Sequence, residues 1–169
     1  MAAEASEATG NVTRASEATG NVTRASEATG NVTSKVDALL AAARERLVRL
    51  SAAEIPAALN RGAVLVDIRP AAQRAIEGEF PGALIVERNV LEWRCDPTSD
   101  ARLPQATGDD VEWVILCSQG YTSSLAAAAL QDLGLYRATD VIGGYRALVD
   151  EGLLGGTAAA VLLRAGAWV

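Results

Sequence analysis

From Ser34 onward the spacing of apolar residues changes period several times. Val36, Leu39, Leu40, Ala43, Leu47, Val48 and Leu50 recur at helical spacing, and Ser34 is placed to cap them, so a helix is expected over this stretch. Ser51-Ala52-Ala53-Glu54 has the form of a capping box and predicts a second, short helix closed near Asn60-Arg61-Gly62. The period then shortens. Residues 63–68 form a short apolar run of strand type, 83–86 another, and 111–117, rich in Val, Ile and Trp, the strongest. Residues 138–142 are a fourth strand candidate. Between them, Pro70 can open a helix ending near Gly78, residues 123–133 read as an alanine-rich helix stopped by Gly134, and 145–151 read as a further helix. Short apolar strands alternating with helices predict an α/β fold, a mostly parallel sheet covered on both faces.

The first 34 residues follow another rule. Residues 5–14 read ASEATGNVTR, 15–24 repeat them, and 25–34 differ only in the last position. Each copy carries one Val as its only large apolar side chain, too little to offset an ordering cost of roughly 1–2 kcal/mol per residue. A disordered repeat tail is expected over 1–34. The repeats also contain Asn11-Val12-Thr13, Asn21-Val22-Thr23 and Asn31-Val32-Thr33, the form of a glycosylation acceptor. A repeat copies whatever tripeptide it holds, and no secretory signal is seen at the N-terminus, so these are read as by-products of duplication.

Composition narrows the chemistry. Half of the 169 residues are apolar, enough for one sizeable core, and only 4% are aromatic. The balance of 15 basic to 21 acidic side chains argues against a surface that tracks nucleic-acid phosphates. No apolar run is long enough to span a bilayer, and a cytoplasmic setting with reduced thiols is expected. The chain has no histidine, which excludes Ser-His-Asp and Cys-His catalysis and histidine metal sites. Its two cysteines, Cys95 and Cys117, are separated by 21 residues and match no zinc spacing. Neither a metal nor a cofactor is called for.

Cys117 stands where the best strand meets the best helix, and in parallel sheets sites gather at the carboxyl ends of strands. The loop after it, Ser118-Gln119-Gly120-Tyr121-Thr122-Ser123-Ser124, is small and polar, with Gly120 free to take positive φ. Converging backbone N–H groups and the start of the next helix favour a thiolate over a thiol there. The alternative is that Cys117 is simply the last buried residue of its strand. Cys95 is either a resolving thiol for Cys117 or a bystander at the end of a short helix.

Five segments in order then bring a family into view. Val64-Leu65-Val66-Asp67-Ile68-Arg69 carries an Asp-x-Arg after a strand, and Gly78-Glu79-Phe80-Pro81-Gly82-Ala83 follows a Gly-His-Ile-Pro-Gly-Ala pattern with Glu79 in place of histidine. The run from Glu87 to Arg94, the loop from Cys117 to Ser124, and Val141-Ile142-Gly143-Gly144-Tyr145 complete the set. Over residues 51 to 154 the chain resembles the rhodanese-like (sulfurtransferase) family, in a single-domain form seen in actinobacteria. The resemblance implies a three-layer fold; with the helix read before it the domain is expected over 35–156, and the stretch 157–169, beyond the resemblance, is expected as an extension of helical pattern.

It also implies that Cys117 takes a sulfane sulfur from a donor such as thiosulfate or a persulfide. The sulfur would be held as a persulfide and passed to a thiophilic acceptor: cyanide, a small thiol or a protein. Loop N–H groups from Ser118, Gln119, Gly120, Tyr121, Thr122 and Ser123 would stabilise the sulfur anion. Ser123 or Ser124 would either hydrogen-bond the sulfur or cap the helix. Asp67 and Arg69 would brace the site, or merely pair with each other. Family loops often contain Arg or Lys and this one has none, so Arg88 and Arg94 are candidates for anion binding from a neighbouring segment. Protein tyrosine phosphatases need Arg six residues after the cysteine, and that position is Ser123. The uncharged loop, Glu79 and the additional N-terminal helix leave a second reading open, a non-catalytic rhodanese-like binding or regulatory module.

Overall fold

A computed structural model describes residues 34–154; the repeats before Ser34 and the expected C-terminal extension lie outside the described residues. Four parallel strands, β1 (Val64–Asp67), β2 (Leu84–Ile85), β3 (Trp113–Leu116) and β4 (Thr139–Asp140), form one sheet in the order β2-β1-β3-β4. Val66 lies opposite Ile115 and Asp67 opposite Leu116, so β1 and β3 end level with each other at one edge of the sheet. Parallel neighbours require crossovers, and these are helical. The helices are α1 (Lys35–Arg46), α2 (Ile55–Asn60), α3 (Ala71–Glu77), α4 (Leu91–Cys95), α5 (Thr122–Asp132) and α6 (Gly144–Asp150).

Residues on the strands alternate between two cores. Val64 and Val66 join Trp113, Ile115 and Cys117 beneath α4 and α5, where they meet Leu91, Ala126, Ala127 and Leu130. Leu65, Val114 and Leu116 point the other way, onto Ile55 and Ala58 of α2 and Tyr145 and Leu148 of α6. Both faces of the sheet are therefore dry. That is why β1 and β3 read as unbroken apolar runs rather than as alternating ones.

The expected three-layer α/β architecture is present, with corrections at the end of the first helix and at the fourth strand. The amide of Asp37 donates to Ser34 Oγ at 3.1 Å, so the cap is as anticipated, but the helix stops at Arg46 instead of continuing to Leu50. Leu47 turns extended, and Leu50 forms a parallel bridge with Val141, its amide donating to Asp140 O at 3.0 Å and its carbonyl accepting from Ile142 N at 2.8 Å. Sheet-edge hydrogen bonds outcompete a further turn of helix here, and Val48 is left outside at 82% exposure. The fourth strand covers Thr139–Asp140 and not the expected 138–142, with Val141 beside it making the bridge to Leu50. The capping box forms as read: the Glu54 carboxylate accepts from the amide of Ser51 at 2.8 Å and its hydroxyl at 2.7 Å.

Candidate active site

β3 delivers Cys117 to the carboxyl edge of the sheet, and the chain then folds through a tight loop into α5. The loop rests on the start of α6. Tyr145 N donates to Cys117 O at 2.8 Å and Arg146 N to Ser118 O at 3.1 Å. Backbone meets backbone so closely that side chains are excluded on both sides. A Cβ on Gly144 (φ +63°) would come within 2.7 Å of the amide nitrogens of Gln119 and Gly120, and one on Gly120 (φ +76°) within 2.8 Å of Gly143 N. The glycine pair and the loop glycine are thus two halves of one contact.

Within that frame Cys117 is 8% exposed. Gly120 N and Ser123 N donate to its Sγ at 3.2 and 3.4 Å, and its thiol donates to Ser123 Oγ at 3.2 Å. Of the N–H groups expected from Ser118 to Ser123, these two reach the sulfur. Cys117 lines a cavity of about 400 Å³ together with Ile68, Arg69, Pro70, Gln73, Arg88, Ser118, Gln119, Tyr121 and Thr122. A buried sulfur that accepts two backbone N–H bonds and faces a cavity is equipped to carry negative charge.

Residues 51–151, more than half of the chain, match the family described as Rhodanese-like domain. The chain belongs to that family. It is 31% identical over 104 residues to the adenylyltransferase and sulfurtransferase UBA4 of Lodderomyces elongisporus, a match covering 59% of this chain and 23% of that protein. It thus spans about a quarter of that relative's length. A solved structure from Rhodopseudomonas palustris, described as a protein of unknown function and possible tyrosine phosphatase, is similar with a TM-score of 0.63 at 32% identity, covering 72% of this chain and 93% of that one. The human single-domain sulfurtransferase TSTD1 is similar at 26% identity with a TM-score of 0.49, covering 61% of this chain and 96% of that one.

In this rhodanese-like domain Asp67 and Arg69 form a sealed ion pair. The Arg69 side chain is wholly buried: its Nη2 lies 2.6 Å from Asp67 Oδ2 and 2.9 Å from Gly78 O, and its Nη1 lies 3.0 Å from Glu77 Oε2. Its guanidinium also covers the Tyr145 ring at 3.8 Å from the centroid. Burial alone would lower its proton affinity, but the hydrogen bonds to Asp67 and Glu77 outweigh that and hold it above the ordinary value. The Arg69 nitrogens are thus all engaged within this cluster. Ser118 is held from the same side. Its hydroxyl donates to Glu77 Oε1 at 2.6 Å, which keeps that carboxyl below its ordinary range against the opposing effect of burial.

The two arginines expected to supply charge divide. Arg88 lines the cavity, but its Nη1 donates to both carboxylate oxygens of Glu92, at 2.7 and 2.9 Å. Arg94 does not line the cavity: its Nη1 donates to Ala101 O at 2.7 Å and ties down the loop after α4. Its guanidinium is engaged by this local turn and not by the cavity.

Three other residues at the domain's loop escaped the sequence reading. Asp140, fully buried at the end of β4, accepts from Ser123 Oγ at 2.9 Å, and Arg44 and Arg49 approach Gly120 O at 2.8 and 3.2 Å. Asp140 stood beside the Val141–Tyr145 motif and was legible as a neighbour of it. Nothing in the spacing of Arg44 and Arg49 pointed to a loop more than 70 residues away. Of the two serines it is Ser123 that meets the sulfur, while Ser124 takes neither expected role: its Oγ lies 2.8 Å from Asp140 Oδ2 and 3.2 Å from Gly120 O, with one hydrogen for the two.

Cys95 is fully buried in the core under α4, where burial, helped by the charge of Glu92 against that of Arg94, pushes its thiol up to about 12. In the native rhodanese-like domain, iodoacetamide near neutral pH is therefore expected to modify Cys117 and spare Cys95. Peptide mapping checks this, and equal labelling of both cysteines contradicts it. Among the described residues no helix is long and apolar enough to cross a membrane, and no three His, Cys, Asp or Glu gather to hold a metal ion.

Proposed function

We propose that the chain is a sulfurtransferase that carries sulfur as a persulfide on Cys117. The observation that carries the reading is the Cys117 sulfur itself, at a cavity wall with the amides of Gly120 and Ser123 on it. In the first step the Cys117 thiolate attacks the sulfane sulfur of a donor. A new S–S bond forms, the donor's bond to that sulfur breaks, and its electron pair leaves with the donor, as sulfite from thiosulfate or as a thiolate from an organic persulfide. In the second step a thiolate or cyanide attacks the outer sulfur, and the electron pair of the Cys117–sulfur bond regenerates the Cys117 thiolate. Negative charge stays on sulfur throughout, which is the charge the two amides address.

The charges around the cavity favour an organic persulfide over thiosulfate. Arg69 is consumed by Asp67, Glu77 and Gly78, Arg88 is neutralised by Glu92, and the loop contributes no cation. A dianion finds little compensation, whereas Ile68, Pro70 and Tyr121 offer apolar wall to a carbon-bearing donor. The acceptor is a small thiol or a protein thiol, in a cytoplasmic setting that keeps Cys117 reduced. A phosphatase activity fails on Ser123, which stands where the phosphoryl-clamping arginine is required.

The test is intact mass under non-reducing conditions after incubation with each donor. Gain of one sulfur atom, removed by cyanide, is expected from both, with the organic persulfide loading at the lower concentration. Better loading by thiosulfate reverses the donor preference. No gain from either donor retires the enzyme in favour of a rhodanese-like binding module, the reading that the uncharged loop also allows.

A further inference from the structure

The loop around Cys117 has no cation of its own, yet two arginines stand behind it, both from the segment that precedes the family match. Arg44 Nη2 donates to Gly120 O at 2.8 Å, its Nε lies 3.3 Å from Ser124 Oγ, and its guanidinium sits 5.3 Å from the Tyr121 ring centroid. Arg49 Nη2 shares Gly120 O at 3.2 Å, while its Nε and Nη2 donate to Asp140 Oδ1 and Oδ2 at 2.7 and 3.0 Å. Asp140 Oδ2 in turn accepts from Ser123 Oγ at 2.9 Å, and Ser123 Oγ is the acceptor of the Cys117 thiol at 3.2 Å. A continuous chain thus runs from Arg49 through Asp140 and Ser123 to the sulfur.

We infer that the Arg49–Asp140 pair sets the ionisation of Cys117 through the Ser123 hydroxyl, the two acting as positioning residues for the sulfur transfer proposed above, on which reading this role rests. Ser123 has a single hydroxyl hydrogen. With Cys117 as a thiol, that hydrogen goes to Asp140 and the Ser123 oxygen accepts from sulfur. Once the thiol proton leaves to water in the cavity, the same hydrogen has two anionic acceptors, the sulfur and the carboxylate. Asp140 therefore opposes the thiolate twice, as a like charge and as a rival for the one side-chain donor. Arg49 relieves both effects by engaging the carboxylate.

The other charged groups near the loop have partners of their own. At the end of β1, Asp67 and Arg69 pair with each other, and Glu77 at the end of α3 holds Arg69 and Ser118. Arg88 pairs with Glu92 ahead of and within α4, Arg44 lies on Gly120 O, and Arg146 on α6 meets the loop through its amide. The first turn of α5 is uncharged.

The two arms of the pair predict opposite signs, which simple damage to the fold does not. In the full chain, Asp140→Asn removes the carboxylate charge and releases the Ser123 hydrogen to sulfur. The pH profile of Cys117 alkylation by iodoacetamide should move to lower pH, with a rate rise of about three- to tenfold below the plateau. Arg49→Gln leaves the carboxylate without its cation, and the profile should move to higher pH with a comparable fall. Profiles that coincide with that of the unaltered chain, or that move together in one direction, overturn the inference. Should one variant fail to fold, the direction of shift in the other decides. Persulfide loading is scored separately: an unaltered chain that alkylates at Cys117 but loads no sulfur overturns the sulfurtransferase reading without moving either profile.

Discussion

Cys117→Ser is expected to take up no sulfur from any donor, while unfolding within about 1 kcal/mol of the unaltered chain. The replacement is nearly isosteric, and the pocket it enters is already polar. Gly120 N and Ser123 N, which donate to Sγ at 3.2 and 3.4 Å, can donate to a hydroxyl oxygen, and Ser123 Oγ remains within reach of a hydroxyl hydrogen. Packing in the core beneath α5 loses little. The chemistry, in contrast, is lost entirely. A serine hydroxyl does not ionise near neutral pH, and nothing beside it can take its proton, because the chain has no histidine and Asp140 is engaged by Arg49. Intact mass after incubation with thiosulfate and with an organic persulfide reads the result directly. Sulfur retained by Cys117→Ser would have to reside on Cys95, which would sink the assignment of the nucleophile. The reciprocal Cys95→Ser should load as the unaltered chain does, since Cys95 is sealed in the core under α4.

The parts of this architecture that were legible in the sequence are those set by local pattern. β1 and β3 are buried on both faces and so announce themselves as apolar runs. The loop after Cys117 is read from Gly120 and its small neighbours, because a strand end, a tight turn and a helix start each leave a compositional trace. The end of α1 was not legible. Leu47, Val48 and Leu50 continue the helical spacing, but Leu47 belongs to the core under α5 and Leu50 to the core under α2 and α6, an assignment that only the edge of the sheet decides. Charge at the site was the least legible feature. Arg88 and Arg94 lie close in sequence to family motifs, yet each is held by a local partner, Glu92 and Ala101. Arg44 and Arg49 reach Gly120 because α1 docks along α5, where Arg46 meets Asp132 at 2.7 Å. Side-chain reach across a packed interface has no periodicity to betray it.

The largest stability loss is expected from Arg69→Met, about 3–5 kcal/mol by denaturant unfolding. The guanidinium occupies the middle of a closed polar cluster: it donates to both oxygens of Asp67, to Glu77 and to Gly78 O, and it packs on Tyr145. Methionine restores much of the volume but none of the charge. Asp67, 1% exposed, is then a buried carboxylate whose remaining donor is the amide of Arg69's own position, at 3.0 Å. The loss is thus chiefly the cost of stranding Asp67, not the net worth of the ion pair. Two consequences follow from that distinction. Asp67→Asn combined with Arg69→Met removes the stranded charge and should recover most of the deficit. Acid should also shrink the deficit of the single variant, because a proton on Asp67 removes the unpaired charge; the folded variant binds that proton more readily than the unfolded chain, so its relative stability falls as pH rises. A single-variant deficit below about 1 kcal/mol, or one that deepens in acid, would show that Arg69 is a space-filling side chain rather than the counter-charge that lets β1 end in a buried carboxylate beside Cys117.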